Sequence, residues 1–165
     1  MDYWVLAFYI LKPLDDPHDE IEKHKQFFSV RDLKGRIYIS EEGINAQMSG
    51  SPEHAGEYMD WLRSDDRFRE TVFKIHYWPE HAFPKATIKY RKQLVALDSQ
   101  VDLAKQGEYV AAKRWTEMLR QSDENTIVLD TRNDYEWKVG HFKGADLPPL
   151  EAFREFPKYV KKLKQ

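Results

Sequence analysis

The stretch LKGRIYISEEGINAQMSG, residues 33–50, decides the fold. Within it, Gly35-Arg36-Ile37-Tyr38-Ile39-Ser40 and Ile44-Asn45-Ala46-Gln47-Met48-Ser49 flank Glu41-Glu42-Gly43. The glycine can take the positive φ that a tight reversal needs, so the stretch predicts a β-hairpin. Directly after it, Ser51-Pro52 supplies an N-cap hydroxyl and a helix-starting proline. Ala55, Tyr58, Met59 and Leu62 then recur at i, i+3, i+4 and i+7, the stripe of a helix docked on a sheet.

Working outward, Tyr3 to Leu11 is a continuous apolar run, as expected of a central strand covered on at least part of both faces. Asp16-Pro17-His18-Asp19 places a capping carboxylate, a proline and an acid at the start of a helix that runs toward Phe27 and Phe28. Beyond the hairpin and its helix, Val72 to Tyr77 reads as a strand, and Thr87 to Tyr90 and Leu94 to Leu97 as one or two more. The order strand, helix, strand, strand, helix, strand is the split βαβ arrangement of ferredoxin-like and acylphosphatase-like domains. The predicted class is therefore α+β, with about four or five strands and two helices on one face.

From Asp98 the chain turns polar, so residues 98–110 are read as a linker between a first domain, residues 1–97, and a second segment, residues 111–165. In that segment Ala111, Ala112, Trp115, Met118 and Leu119 form a helical stripe. Thr126 to Asp130 reads as a short buried strand, and Leu150 to Leu163 as a final helix.

Composition narrows the chemistry. Nine Phe, nine Tyr and five Trp among 165 residues supply ample apolar area for a core. Twenty-six Lys and Arg against 28 Asp and Glu give a net charge of -2, so any site for a polyanion is local. There is no cysteine, which excludes disulfides, thiolate metal sites and thiol nucleophiles within this chain. His76 and His81 flank Pro79 and have no third ligand at zinc-like spacing, so no metal site is expected. P-loop, dinucleotide-binding and serine-hydrolase motifs are absent as well. The opening run is short, half aromatic and without a basic leader, so it reads as a strand rather than a signal segment. A cytoplasmic location without membrane contact is the default expectation.

Two motifs carry a family resemblance. Ile127-Val128-Leu129-Asp130-Thr131-Arg132, Tyr135-Glu136-Trp137 and Gly140-His141-Phe142-Lys143-Gly144-Ala145 resemble the entry half of a rhodanese domain. Residues 33–50 resemble a signature of the amino-terminal, acylphosphatase-like domain in one group of rhodanese-like proteins. Together they resemble the bacterial rhodanese-type tRNA uridine hydroxylases, from Tyr3 to about Tyr159. The resemblance implies oxygen-dependent hydroxylation at carbon 5 of the wobble uridine, with molecular oxygen as co-substrate and the tRNA anticodon region as partner. The chain ends at Gln165, before the Cys-containing loop of a rhodanese domain. It is therefore expected to be an amino-terminal fragment, inactive alone, in which Thr126 to Leu129 packs on the first domain, pairs with another copy in self-association, or lacks order. A binding module without chemistry for RNA or protein, and a sulfurtransferase fragment, stand as alternatives.

Each candidate site residue has two readings. Asp130, Arg132, Glu136 and His141 either tie down a strand-to-helix turn by hydrogen bonds and ion pairs, or, by the resemblance, line a pocket at whose mouth Arg132 and His141 stand. Glu41, Glu42 and Asn45 serve the chemistry of the hairpin turn, or else Arg36 and Asn45 face the rhodanese segment and hold part of an RNA or of the interdomain cleft. Lys85, Lys89, Arg91 and Lys92, interleaved with Phe83 and Tyr90, either meet RNA phosphates or protect a solvated edge strand. Lys158, Lys161, Lys162 and Lys164 read as solvated helical charge.

Overall fold

The computed structural model describes residues 2–94, 107–150 and 153–163. The chain divides into two units, residues 1–95 and 96–165. Of the strand expected at Leu94 to Leu97, Leu94 lies in a bend, while residues 95–97 and most of the expected linker lie outside the described residues.

In the first unit β1 (Tyr3–Leu11), α1 (Pro17–Ser29), β2 (Leu33–Ser40), β3 (Gly43–Gly50), α2 (Pro52–Ser64), β4 (Lys74–Trp78) and β5 (Ala86–Tyr90) follow in chain order. The sheet order is β4-β1-β3-β2-β5. Crossing over through α1 leaves a slot between β1 and β2, and β3 fills it, antiparallel to both. Crossing back through α2 puts β4 on the far side of β1. This is the expected α+β arrangement, and β5 extends it by adding parallel to β2 as an edge strand.

Local chemistry starts each element. The Asp16 carboxylate accepts the backbone N–H of His18 and of Asp19, and Ser51 Oγ accepts that of His54, so both helices are capped as their sequences predict. Glu41 and Glu42 alone form the hairpin loop, and Gly43 takes φ 136°. A Cβ there would come within 2.0 Å of the Ile10 carbonyl oxygen, so only glycine admits this close approach of β1. Strand alternation sends Leu6, Phe8, Ile37, Ile39, Ile44 and Met48 to one face, where Ile21, Phe27, Phe28, Ala55, Tyr58 and Leu62 of the two helices complete the core. The opposite face carries no helix of this unit.

The second unit contains α3 (Ala112–Gln121), α4 (Asp134–Val139), a 3-10 turn at Phe153–Glu155 and α5 (Phe156–Leu163). Here the sequence reading needs two corrections. Thr126 to Asp130 is not a buried strand: among the described residues it forms one isolated parallel bridge, Leu129 to Asp146, and Ile127 is 63% exposed. Strand geometry needs a partner along several residues, and Asp146 serves only the Val128 carbonyl and the Asp130 N–H. The expected helix from Leu150 is also shorter, since Pro157 fits the first turn of α5 but cannot continue a helix running into it.

Candidate nucleic-acid interface

On the helix-free face of the sheet the register sets side chains in rows. Tyr9 pairs with Asn45, Asn45 with Tyr38, and Tyr38 with Lys89, so one row crosses β1, β3, β2 and β5. The next row carries Ala7, Gln47, Arg36 and Thr87. The predicted residues Arg36, Asn45 and Lys89 are thus brought together on one face. Arg91, just past β5, joins them: its guanidinium carbon lies 4.8 Å from the Tyr38 ring centroid, a cation over an aromatic face. Lys85 and Lys92 are exposed at the two ends of β5. Among the described residues Arg36, Lys85, Lys89 and Lys92 form no ion pair.

The hairpin acids are engaged with backbone and phenol donors. Tyr90 donates its hydroxyl to the Glu41 carboxylate at 3.1 Å, and burial together with that carboxylate pushes the phenol pKa up. Glu42 accepts the Leu94 N–H at 2.9 Å. Lys12 and Leu14 donate their N–H groups to the carbonyls of Glu42 and Glu41, so the tip is pinned from β1 as well.

At the other end of the same face lies a line of three residues that the sequence reading missed. Ser49 Oγ is 3.1 Å from His81 Nδ1, and His81 Nε2 is 2.8 Å from Asp32 Oδ1. The composition is that of a hydrolytic triad, but the geometry is structural. Ser49 is 0% exposed and its Oγ also accepts the Ala82 N–H, so no substrate carbonyl reaches it. The line fastens the loop after β4 onto β3, and the hydrogen bond from His81 holds the Asp32 carboxyl below its usual range. No sequence spacing signals it, since the three residues come from three separate segments.

In the second unit the four turn residues are consumed by the turn. Arg132 donates to both carboxylate oxygens of Asp130, at 2.6 Å from Nη2, and to the Gly140 carbonyl at 2.7 Å. These bonds hold the Asp130 carboxyl below its ordinary value and raise the guanidinium. Glu136 closes a capping box, accepting the Asn133 backbone N–H at the start of α4. His141 stacks on Trp137 with centroids 3.7 Å apart, and its Nδ1 donates to the Trp137 carbonyl. A cavity of about 630 Å³ is lined by Asp130, Arg132, Tyr135, Leu147, Pro149 and Phe153 among others. Glu136 and His141 do not line it. Among the described residues no cluster of His, Asp and Glu is arranged to hold a metal ion. No described helix is long and apolar enough to cross a membrane.

Comparison with known proteins agrees with the sheet. Residues 3–94 match the family described as the UPF0176 acylphosphatase-like domain. A tRNA uridine(34) hydroxylase of Chlamydia muridarum is 49% identical over 164 residues, covering 99% of this chain and 49% of the relative. Proteins of the same name from Chlamydia pneumoniae and Protochlamydia amoebophila are each 48% identical, over 99% and 98% of this chain and 50% of each relative. The chain spans about half the length of the curated relatives it matches.

Proposed function

Because this chain belongs to the family of the UPF0176 acylphosphatase-like domain, we propose that it forms the RNA-positioning part of an enzyme that hydroxylates uridine 34 of tRNA. One observation carries the reading: 99% of this chain aligns at 49% identity with about half of a protein named for that reaction. The cationic face and edge of the first unit support it, since phosphate contacts need unpaired lysine and arginine. In this reading the second unit is the entry half of a rhodanese-like domain. Its Asp130–Arg132 pair shapes one wall of a cavity and leaves the reacting sulfur to residues other than these 165, which include no cysteine. The cytoplasm, where tRNA is modified, is the compartment this role requires.

Two measurements test the proposal. Nucleosides of tRNA from a strain lacking the gene should lose 5-oxygenated wobble uridines; loss of thiolated uridines instead overturns the hydroxylase reading in favour of sulfur transfer. Replacing Lys85, Lys89, Arg91 and Lys92 by glutamine together should weaken tRNA binding and lower the slope of log affinity against log salt by roughly three to four. Unchanged affinity would return these residues to edge protection.

A further inference from the structure

We propose that the helix-free face of the sheet receives one unpaired RNA nucleotide, its base lying against Tyr9 and Tyr38 with Asn45 between them, and its phosphates toward Arg36 and Lys89. This rests on the tRNA reading above and adds where, and in what state, the RNA is held.

The register alone assembles the site. Tyr9, Asn45 and Tyr38 sit opposite one another on three neighbouring strands, so the two phenols are separated by two strand spacings, roughly 10 Å. Tyr9 is 42% exposed and lies beyond the last β1 residue paired with β4, with β3 alone beside it among the described residues, through Asn45. An aromatic side chain left open on the face of a sheet offers a stacking surface, and the Asn45 amide beside it offers one acceptor and two donors, the complement of a base edge. The adjoining row is uncharged at Ala7, Gln47 and Thr87 and carries cations at Arg36 and, on β4, at Lys74.

Charge selects the occupant. The positions facing this side on all five strands are held by Tyr, Val, Ala, Leu, Lys, Arg, Ser, Gly, Asn, Gln, His, Trp and Thr, and none by Asp or Glu. Of the hairpin carboxylates, Glu41 accepts from Tyr90 and Glu42 from the Leu94 N–H, and because the Glu42 charge still acts on Tyr9, the phosphates are directed to the cations of β2 and β5 rather than to the hairpin tip. Arg91 adds a cation against Tyr38, where it reinforces stacking of a π-system. A sheet cannot enter the deep groove of an A-form duplex, so aromatic groups on it reach only bases that are splayed from a loop or strand.

The test uses the full chain and three labelled probes: an anticodon-type stem-loop, a single-stranded oligouridine and a duplex of equal length. Stem-loop and oligouridine should bind more tightly than duplex. Tyr9→Leu with Tyr38→Leu should cost tenfold or more in affinity for both unpaired probes and leave the salt slope unchanged. Arg36→Gln with Lys89→Gln should instead lower the slope by about two. As a readout free of folding effects, 4-thiouridine in the oligouridine should cross-link the wild-type chain on β1, β2 or β3 at this face. Equal binding of duplex, wild-type affinity in the tyrosine double variant, or cross-links confined to α1 and α2 would overturn the assignment. The nucleoside assay above does not involve these residues, so failure of this site and failure of the hydroxylase reading are told apart.

Discussion

Tyr58 donates its hydroxyl to His24 Nε2 at 3.1 Å, with both side chains fully buried between α1 and α2. The direction follows from the other ring nitrogen. His24 Nδ1 lies 2.8 Å from the Glu20 carbonyl oxygen, which can only accept, so Nδ1 carries the hydrogen and Nε2 accepts. The rings of Phe8, Phe27, Phe28 and Trp61 surround the same phenol, with centroids 5.6 to 6.1 Å away.

This arrangement separates two variants. Tyr58→Phe keeps the packing and strands His24 Nε2 without its donor, which should cost about 1 kcal/mol in urea denaturation. Tyr58→Ala also removes the ring that five aromatic neighbours share and should cost about 3–5 kcal/mol. Equal stability of Tyr58→Phe and the wild type would mean that the hydrogen bond contributes nothing net.

Acid sensitivity follows from the neighbouring carboxylate. Burial pushes the Glu20 carboxyl up, but hydrogen bonds from His24 and Arg67 and the charge of the Arg67 guanidinium outweigh it and hold the group below its ordinary 4.5. The hydrogen bond from Arg67 likewise lowers Asp65. A carboxyl whose folded pKa is depressed stabilises the fold above its unfolded pKa and loses that contribution as pH falls through the folded one. Stability should therefore be full near neutrality and decline below about pH 4.5. Arg67→Met should flatten this acid limb and cost about 1–2 kcal/mol at pH 7, the partly exposed guanidinium being screened by water. Chemical denaturation from pH 3 to 7, roughly spanning the carboxylate range, checks the sign.

The hairpin motif makes a third expectation. A Cβ at Gly35 would meet the Gln47 carbonyl oxygen at 2.3 Å and Met48 Cα at 2.6 Å, all backbone that cannot swing away. Gly35→Ala should cost about 2–3 kcal/mol by forcing β2 from β3. Gly56→Ala, where nothing lies within 4 Å, should be neutral or slightly stabilising because it sits in a helix. Thermal denaturation of the two variants side by side gives the contrast.

Helix starts, the hairpin loop and the order of elements could be read from residues 3–90 because each depends on neighbours in the chain. Asp16 and Ser51 cap within three residues, and Gly43 answers a constraint set by its own turn. The basic run from Lys85 to Lys92 was likewise visible as composition, and the family motif as a string of letters. What the letters could not supply was pairing between distant strands. That Tyr9 and Tyr38 face the same way across Asn45, that Ser49 and Asp32 share His81, and that Thr126 to Asp130 finds only one bridging partner among the described residues are facts of register and packing. A one-residue slip in any strand would send these side chains to the opposite face, so the candidate site exists only once the whole sheet has closed around its core.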